Sequence, residues 1–492
     1  MAVGKVHLVC FFVLTVIQYV KGDYIAAVVE YQPIILSSVN ETVEQNLAQY
    51  VWYIEKAKES YVQIIVFPEY GLTGIVNDTT GYAIQIPNVG NDTDFENYWL
   101  QKLSNAARGN GIYVVTNLLE KVIDESNKTL YYSTNLVFDK NGKIVAKYRK
   151  INLSSEPQLT PGNPDQNQTT FITDFGITFG VFSSQDIFFS NPSKTILSKN
   201  VTDVVYPTSW SSFLPYFHSL TTQSGYAIAN RINLLAAGLD IPEVGIGGSG
   251  IWGADGTAFA YYISGNAGSK LLIATVKNTP DMRVLGEGTK LRGFENLDNN
   301  VANHLDTYNA SRFFDYDKYS FKTLNISRLN VSKEVCHKGF CCQFSVNVSY
   351  APVNSEEVYR IMAYTGPIGI LGSKKTHKIC SLIGCATSDI STCGKHNVGL
   401  TTKFKRISVN TSISSDSYSF YRPISLTTNL VPVFNSTFNF VIANHARKVV
   451  YLNDQEPSDV VAFGIMETSS AVSNTFNIVF FTCIYVFHRL FL

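Results

Sequence analysis

Cysteine is absent between Asp23 and Val335 and then occurs six times in quick succession, at Cys336, Cys341, Cys342, Cys380, Cys385 and Cys393. In an oxidising compartment a clustered even set reads as disulfides, so one part of the chain is predicted to carry three bridges. The preceding part has to fold on its core alone. Spacing does not fix which cysteine pairs with which, and a zinc site is the competing use of the same thiols. The other two cysteines, Cys10 and Cys483, sit in apolar runs at the two ends. With 492 residues and 45% hydrophobic content, there is enough chain for two or three domains.

Both ends read as targeting segments. Lys5 followed by the apolar run Leu8 to Tyr19 and the small residue Gly22 predicts a secretory signal over residues 1–22, with an uncleaved anchor as the alternative. Ser469-Ser470-Ala471, a short polar spacer and an apolar tail from Phe476 to Leu492 predict a glycosylphosphatidylinositol-anchor signal over 469–492, attached at Ser469 or Ser470. A membrane helix is the other reading, but the tail is short and contains His488 and Arg489. Asn-x-Ser/Thr acceptors recur at Asn40, Asn77, Asn91, Asn127, Asn167, Asn200, Asn309, Asn325, Asn330, Asn347, Asn410 and Asn435. That density fits an extracellular glycoprotein held at the cell membrane. Asn152 also matches but lies beside Lys150, where burial would block modification. Basic and acidic residues balance at 39 each with no long run of one sign, which argues against nucleic acid as a partner.

Along the chain, Tyr24 to Tyr31 predicts a strand and Asn40 can cap a helix in which Val43, Leu47, Val51 and Ile54 recur at helical spacing. Val62 to Phe67 and Ile112 to Leu118 predict further strands. Asn141-Gly142 predicts a hairpin turn whose return strand runs from Lys143 to Lys150. A β-rich run from Phe171 to Val181 then leads into Ser183-Ser184. Val201 to Tyr206, a helix through Ala229, Ile232 to Ala237 and Lys270 to Val276 complete an α/β pattern over 23–312. Short β-type runs dominate 313–468, around the cysteines, and predict a second, smaller, β-rich domain.

Three strand ends carry chemistry. Glu69 follows Phe67-Pro68, Lys150 ends the hairpin strand, and Ser184 sits at a sharp strand-to-loop elbow of the kind that displays nucleophiles in α/β enzymes. Each alone has a plain alternative: a loop acid is usually solvated, and a terminal lysine on an apolar face can snorkel. Glu156, in Ser-Glu-Pro-Gln, is either a further site carboxylate or an exposed loop acid.

The runs IIVFPEYGLTG, KYRKINL, FGVFSSQDIFF, VVYPTSW and GGSGI resemble the successive motifs of the nitrilase superfamily, specifically its vanin and biotinidase branch. VCHKGFCC, ICSLIGC and STCG resemble that branch's carboxyl-terminal cysteine pattern. The resemblance implies a four-layer α-β-β-α sandwich followed by the β-rich domain. It also implies hydrolysis of a small linear amide, pantetheine in vanins and a biotinyl amide in biotinidase, with neither cofactor nor metal. Carried over by motif, Glu69 is the proton acceptor, Lys150 the proton donor and oxyanion stabiliser, and the backbone N–H of Gln185 a second oxyanion donor. The nucleophile position, cysteine in the family, is Ser184. A thiol is readily activated beside a carboxylate and a cation, whereas a serine hydroxyl normally needs His or Lys as base. Impaired thiol-type chemistry is therefore expected, with a non-catalytic relative as the alternative. A second departure is Gly238-Leu239-Asp240, where the family tends to carry a polar run, so the substrate expectation is loosened too. The sequence leaves oligomeric state open.

Overall fold

The computed structural model describes residues 22–468 apart from 91–92, 155, 279–288, 292–299, 313–318, 327, 354, 369–375, 415–419 and 444–445. The expected terminal signals, with Ser469 and Ser470, and the acceptor Asn91 lie outside the described residues.

Two sheets pack face to face in the first domain. One runs in the order Lys270–Val276, Tyr24–Glu30, Ile64–Val66, Tyr113–Ile123, Thr129–Phe138, Ile144–Arg149. The other runs Asn300–Asn303, Ala258–Ser264, Ser249–Trp252, Asn233–Gly238, Asp203–Thr208, Thr178–Val181, Thr170–Ile172. The strand Tyr24–Glu30 shows why the sequence reads as unbroken apolar runs. Side chains alternate across a pleated strand, so Ala26 and Val28 enter the core between the sheets while Ala27 and Val29 enter the core beneath the helices Val39–Glu59 and Tyr98–Asn110. The helices Ser190–Leu197 and Ser219–Asn230 cover the other sheet and complete a four-layer α-β-β-α sandwich.

Local sequence explains most boundaries. The first helix is capped by Ser38, not Asn40: Ser38 Oγ accepts from the N–H of Glu41 at 3.2 Å and donates to its carboxylate at 2.9 Å. This Ser-x-x-Glu capping box outcompetes the asparagine two residues on. The Asn141-Gly142 hairpin forms as expected, with Gly142 at φ 83°. On the outer face of its return strand, Lys147 and Arg149 pair with the buried Glu120 at 2.6 and 2.7 Å. The expected single β run before the elbow is instead a hairpin, Thr170–Ile172 against Thr178–Val181, because Gly176 turns at φ 82°. The helix Ser190–Leu197 follows the elbow without having been legible from periodicity.

The second domain is a pair of packed sheets around its own core. All six cysteines are bridged: Cys336–Cys341 closes a hairpin, Cys385–Cys393 ties a strand end to the next turn, and Cys342–Cys380 joins the strands Phe340–Tyr350 and Thr376–Cys385 of the two different sheets. Of the sequon asparagines, Asn40, Asn77, Asn127, Asn167, Asn200, Asn309, Asn325, Asn330 and Asn435 are exposed, while Asn347 and Asn410 are half-buried.

Candidate active site

Strand ends from both sheets converge on Glu69. Its strand stops at Val66, and Pro68 holds Phe67 extended, which sends the next residue over the end of the sheet. A row of buried polar side chains from the neighbouring strands then fixes it. Asn117 accepts from the N–H of Tyr70 at 3.2 Å and donates to Ser133 Oγ at 3.0 Å, and Ser133 Oγ donates to Glu69 Oε1 at 2.8 Å. Lys150 follows the last strand of the same sheet, its N–H bonded to the Ser133 carbonyl at 2.9 Å. Its ammonium lies 3.0 Å from Glu69 Oε1 and 2.8 Å from Glu156 Oε1.

The opposing sheet supplies the elbow. Ser184 adopts φ 42°, a left-handed conformation that costs a non-glycine residue roughly 1–2 kcal/mol and points to a position held by its surroundings. Its carbonyl accepts from Tyr206 Oη at 2.5 Å. Two residues on, the buried Asp186 accepts from Tyr148 Oη at 2.5 Å and from the backbone and side-chain amides of Asn152 at 2.8 and 2.6 Å. Ser184 Oγ thereby reaches Glu69 Oε2 and donates a hydrogen bond to it, while accepting from the N–H of Ser209 at 3.1 Å. Ser209 Oγ donates to the same carboxylate oxygen at 2.9 Å. Gln185 is in the first turn of the short 3-10 helix Ser184–Phe188, where the N–H has no intrahelical acceptor.

The electrostatics follow from burial and pairing. Burial opposes the charge of Lys150, but Glu69 and Glu156 overcome it and hold its pKa above the ordinary lysine value. Its two carboxylate partners favour the charged form. Burial likewise works to raise Glu156, but Lys150 and Tyr70 Oη hold its pKa below the usual value. Asp186 is raised to about 6 by burial, against the bonds from Tyr148 and Asn152. Neither histidine of the domain reaches the cluster: His218 is buried against Tyr308, with its pKa pushed down to about 3, and His304 is exposed.

The structure thus brings Glu69, Lys150 and Ser184 together, and places Glu156 on Lys150 and not in solvent. Sequence reasoning missed Ser133, Asn117, Tyr148, Asn152, Asp186, Tyr206 and Ser209. Tyr148, Asn152, Asp186, Tyr206 and Ser209 lie inside the quoted motifs, so their positions carried a signal. Asn117 and Ser133 are mid-strand polar residues in buried runs, a pattern that marks a buried network.

Two family profiles match the chain, Carbon-nitrogen hydrolase over residues 25–279 and Vanin C-terminal domain over residues 310–471. Vanin-like protein 1 of Drosophila melanogaster is 32% identical over 400 residues, covering 76% of this chain and 70% of the relative. A pantetheine hydrolase of Homo sapiens is 29% identical over 449 residues, covering 83% of this chain and 82% of the relative. The pantetheinase of Bos taurus is 28% identical over 380 residues, covering 73% and 72% respectively.

Proposed function

The chain belongs to the vanin family of carbon-nitrogen hydrolases, and from that membership we propose that it binds a small linear amide at the Glu69–Lys150–Ser184 cluster and hydrolyses it weakly at best. The observation that carries this reading is the hydrogen bond from Ser184 Oγ to Glu69. In this reading Glu69 takes the proton of a nucleophile, and Lys150 is the cation for a developing oxyanion with the Gln185 N–H as a second donor, roles supported by the Ser184–Glu69 bond and the 3.0 Å approach of Lys150 to Glu69. The group between them is a hydroxyl. Glu69 is a weak base for it, and Lys150, already protonated and doubly paired, does not replace Glu69 in that role.

A non-catalytic reading is favoured by one further observation. Glu69 accepts from Ser133, Ser184, Ser209 and Lys150 at once, a saturated carboxylate that ties the strand ends together as well as it serves a reaction. Hydrolysis of pantetheine and simple amides by the purified protein separates the two. Turnover that disappears in Glu69→Gln supports the enzyme; no turnover in the native chain, with activity appearing only in Ser184→Cys, supports the binding module. Three disulfides and nine exposed sequon asparagines support an extracellular or cell-surface location. Release from cells by a phosphatidylinositol-specific phospholipase tests the lipid anchor.

A further inference from the structure

Arg422, on the second-domain strand Phe420–Thr427, is 1% exposed and reaches into the first domain. Its guanidinium carbon lies 4.1 Å from the centroid of the Phe188 ring and 6.0 Å from that of Phe217. Phe188 closes the 3-10 turn that begins at Ser184. The close approach depends on Gly225 of the covering helix, where a Cβ would stand 2.5 Å from the Pro423 carbonyl oxygen and 3.5 Å from Arg422 Cδ. Nη2 meets Met466 Sδ at 3.2 Å, a weak acceptor. Nε and Nη1 have no hydrogen-bond partner.

A buried guanidinium normally has a carboxylate. Among the described residues, none contacts this one. The aromatic rings stabilise its face, but its N–H groups lie in the guanidinium plane, where a ring face offers no acceptor. Burial lowers its pKa to about 9, so the group stays a cation at neutral pH. Two nitrogens whose three N–H donors find no acceptor, on a buried charge, are expensive to hold. Water would satisfy the donors and leave the charge uncompensated. An anion in the guanidinium plane does both, and a wholly buried position admits only a small one.

We infer that Arg422 forms a buried site for a small inorganic anion of halide size at the junction of the two domains, behind the Ser184 elbow. The guanidinium itself joins the second domain to the turn that carries Ser184, stacked over Phe188, and the anion would balance its charge from the opposite edge. Nothing in this depends on turnover, so the amide-site reading can fail without affecting it.

The test uses the full purified chain. At fixed ionic strength, sodium gluconate is replaced stepwise by sodium chloride and Tm is followed. The expected result is a rise of about 1–2 °C per tenfold increase in chloride above its Kd. Arg422→Met, which keeps the volume apolar, is expected to abolish that dependence. Crystals of the native chain soaked in bromide should show an anomalous peak within hydrogen-bonding distance of Nε or Nη1. A Tm indifferent to the anion, an equal dependence in Arg422→Met, or no bromide peak at Arg422 overturns the site. The bromide experiment decides the matter if the variant does not fold.

Discussion

Ser184 donates its hydroxyl hydrogen to Glu69 across the seam between two sheets, 115 positions apart in sequence, with neither side chain exposed. Under the proposed reading this is the pairing of a nucleophile with its general base, built with the less acidic of the two possible nucleophiles. It exists because a left-handed serine at the end of Thr178–Val181 faces a carboxylate thrown over the end of Ile64–Val66 by Pro68. The scaffold of a carbon-nitrogen hydrolase family is therefore present around a buried hydroxyl paired with a carboxylate.

Ser184→Cys is expected to raise kcat/KM for an amide the pocket accepts by on the order of 10³-fold, because restoring the group that makes and breaks the covalent bond recovers a large part of the catalytic defect. The same gain should vanish when Glu69→Gln is added. Steady-state hydrolysis of pantetheine and of short primary amides measures both. A Ser184→Cys variant no more active than the native chain on every amide, while still folded, would show that the pocket around the elbow no longer accommodates the chemistry.

Asn152 satisfies the glycosylation sequon and should nevertheless carry no glycan in the folded protein. Its side-chain amide is committed to Asp186 at 2.6 Å and to the Asn191 carbonyl at 3.1 Å, so the nitrogen that would be modified faces inward. Glycopeptide mass spectrometry should find sugar at exposed acceptors such as Asn127 and Asn167 and an unmodified Asn152. Asn152→Asp, which sets a second carboxylate against Asp186, should also cost about 1–3 kcal/mol in denaturant unfolding.

Much of the fold was readable because its signals are local. Most apolar runs and the Asn-Gly turn act within a few residues and lead to the element expected of them, the run before the elbow being the exception because Gly176 folds it into a hairpin. What escaped was decided by competition or by distance. Asn40 is a sound cap residue, but Ser38 with Glu41 makes a better one. Glu156 has the sequence of a loop acid and becomes a site residue only because Lys150 and Tyr70 come to it in three dimensions. Arg422 looks like any strand arginine until the second domain is docked. The disulfide pairing lies in the same class, since Cys342 and Cys380 are neighbours through sheet packing and not through spacing.

Asp240 should make the protein less stable as pH rises. Burial raises its pKa from the ordinary 3.8 to about 7, with Glu243 adding to the effect against the bond from the Gly268 N–H. The buried Glu30 beside it is raised by burial and by Asp240 itself. Tyr262 and Tyr308, the other titratable groups facing the pair, stay neutral in this range. Below the unfolded pKa both states hold the proton and the full stability is present. Between there and pH 7 the unfolded chain ionises while the folded one resists, so this contribution is lost as pH rises through the folded pKa. Asp240→Asn removes the titration and keeps an acceptor for Gly268. The difference in Tm between the variant and the native chain should therefore grow from pH 4 to pH 7, and a constant difference would contradict the assignment.

The three disulfides should contribute unequally. In the loop-entropy description, cross-linking restricts the unfolded chain more as the closed loop lengthens. Cys342–Cys380 closes a separation of 38 residues, against 8 for Cys385–Cys393 and 5 for Cys336–Cys341. The first should therefore contribute about 4 kcal/mol and the last about 2 kcal/mol by the same relation. Position widens the gap. Cys342 and Cys380 are both fully buried in the second core and join its two sheets, so replacing the pair by serine also leaves hydroxyls among apolar side chains. Cys336 and Cys341 already face each other across a hairpin whose backbone holds them in register. Pairwise Cys→Ser variants, compared by chemical denaturation while following a signal from the second domain, should lose stability in the order Cys342–Cys380 well ahead of Cys336–Cys341. Equal losses, or the reverse order, would mean that the hairpin bridge and not the link between the sheets holds this domain together.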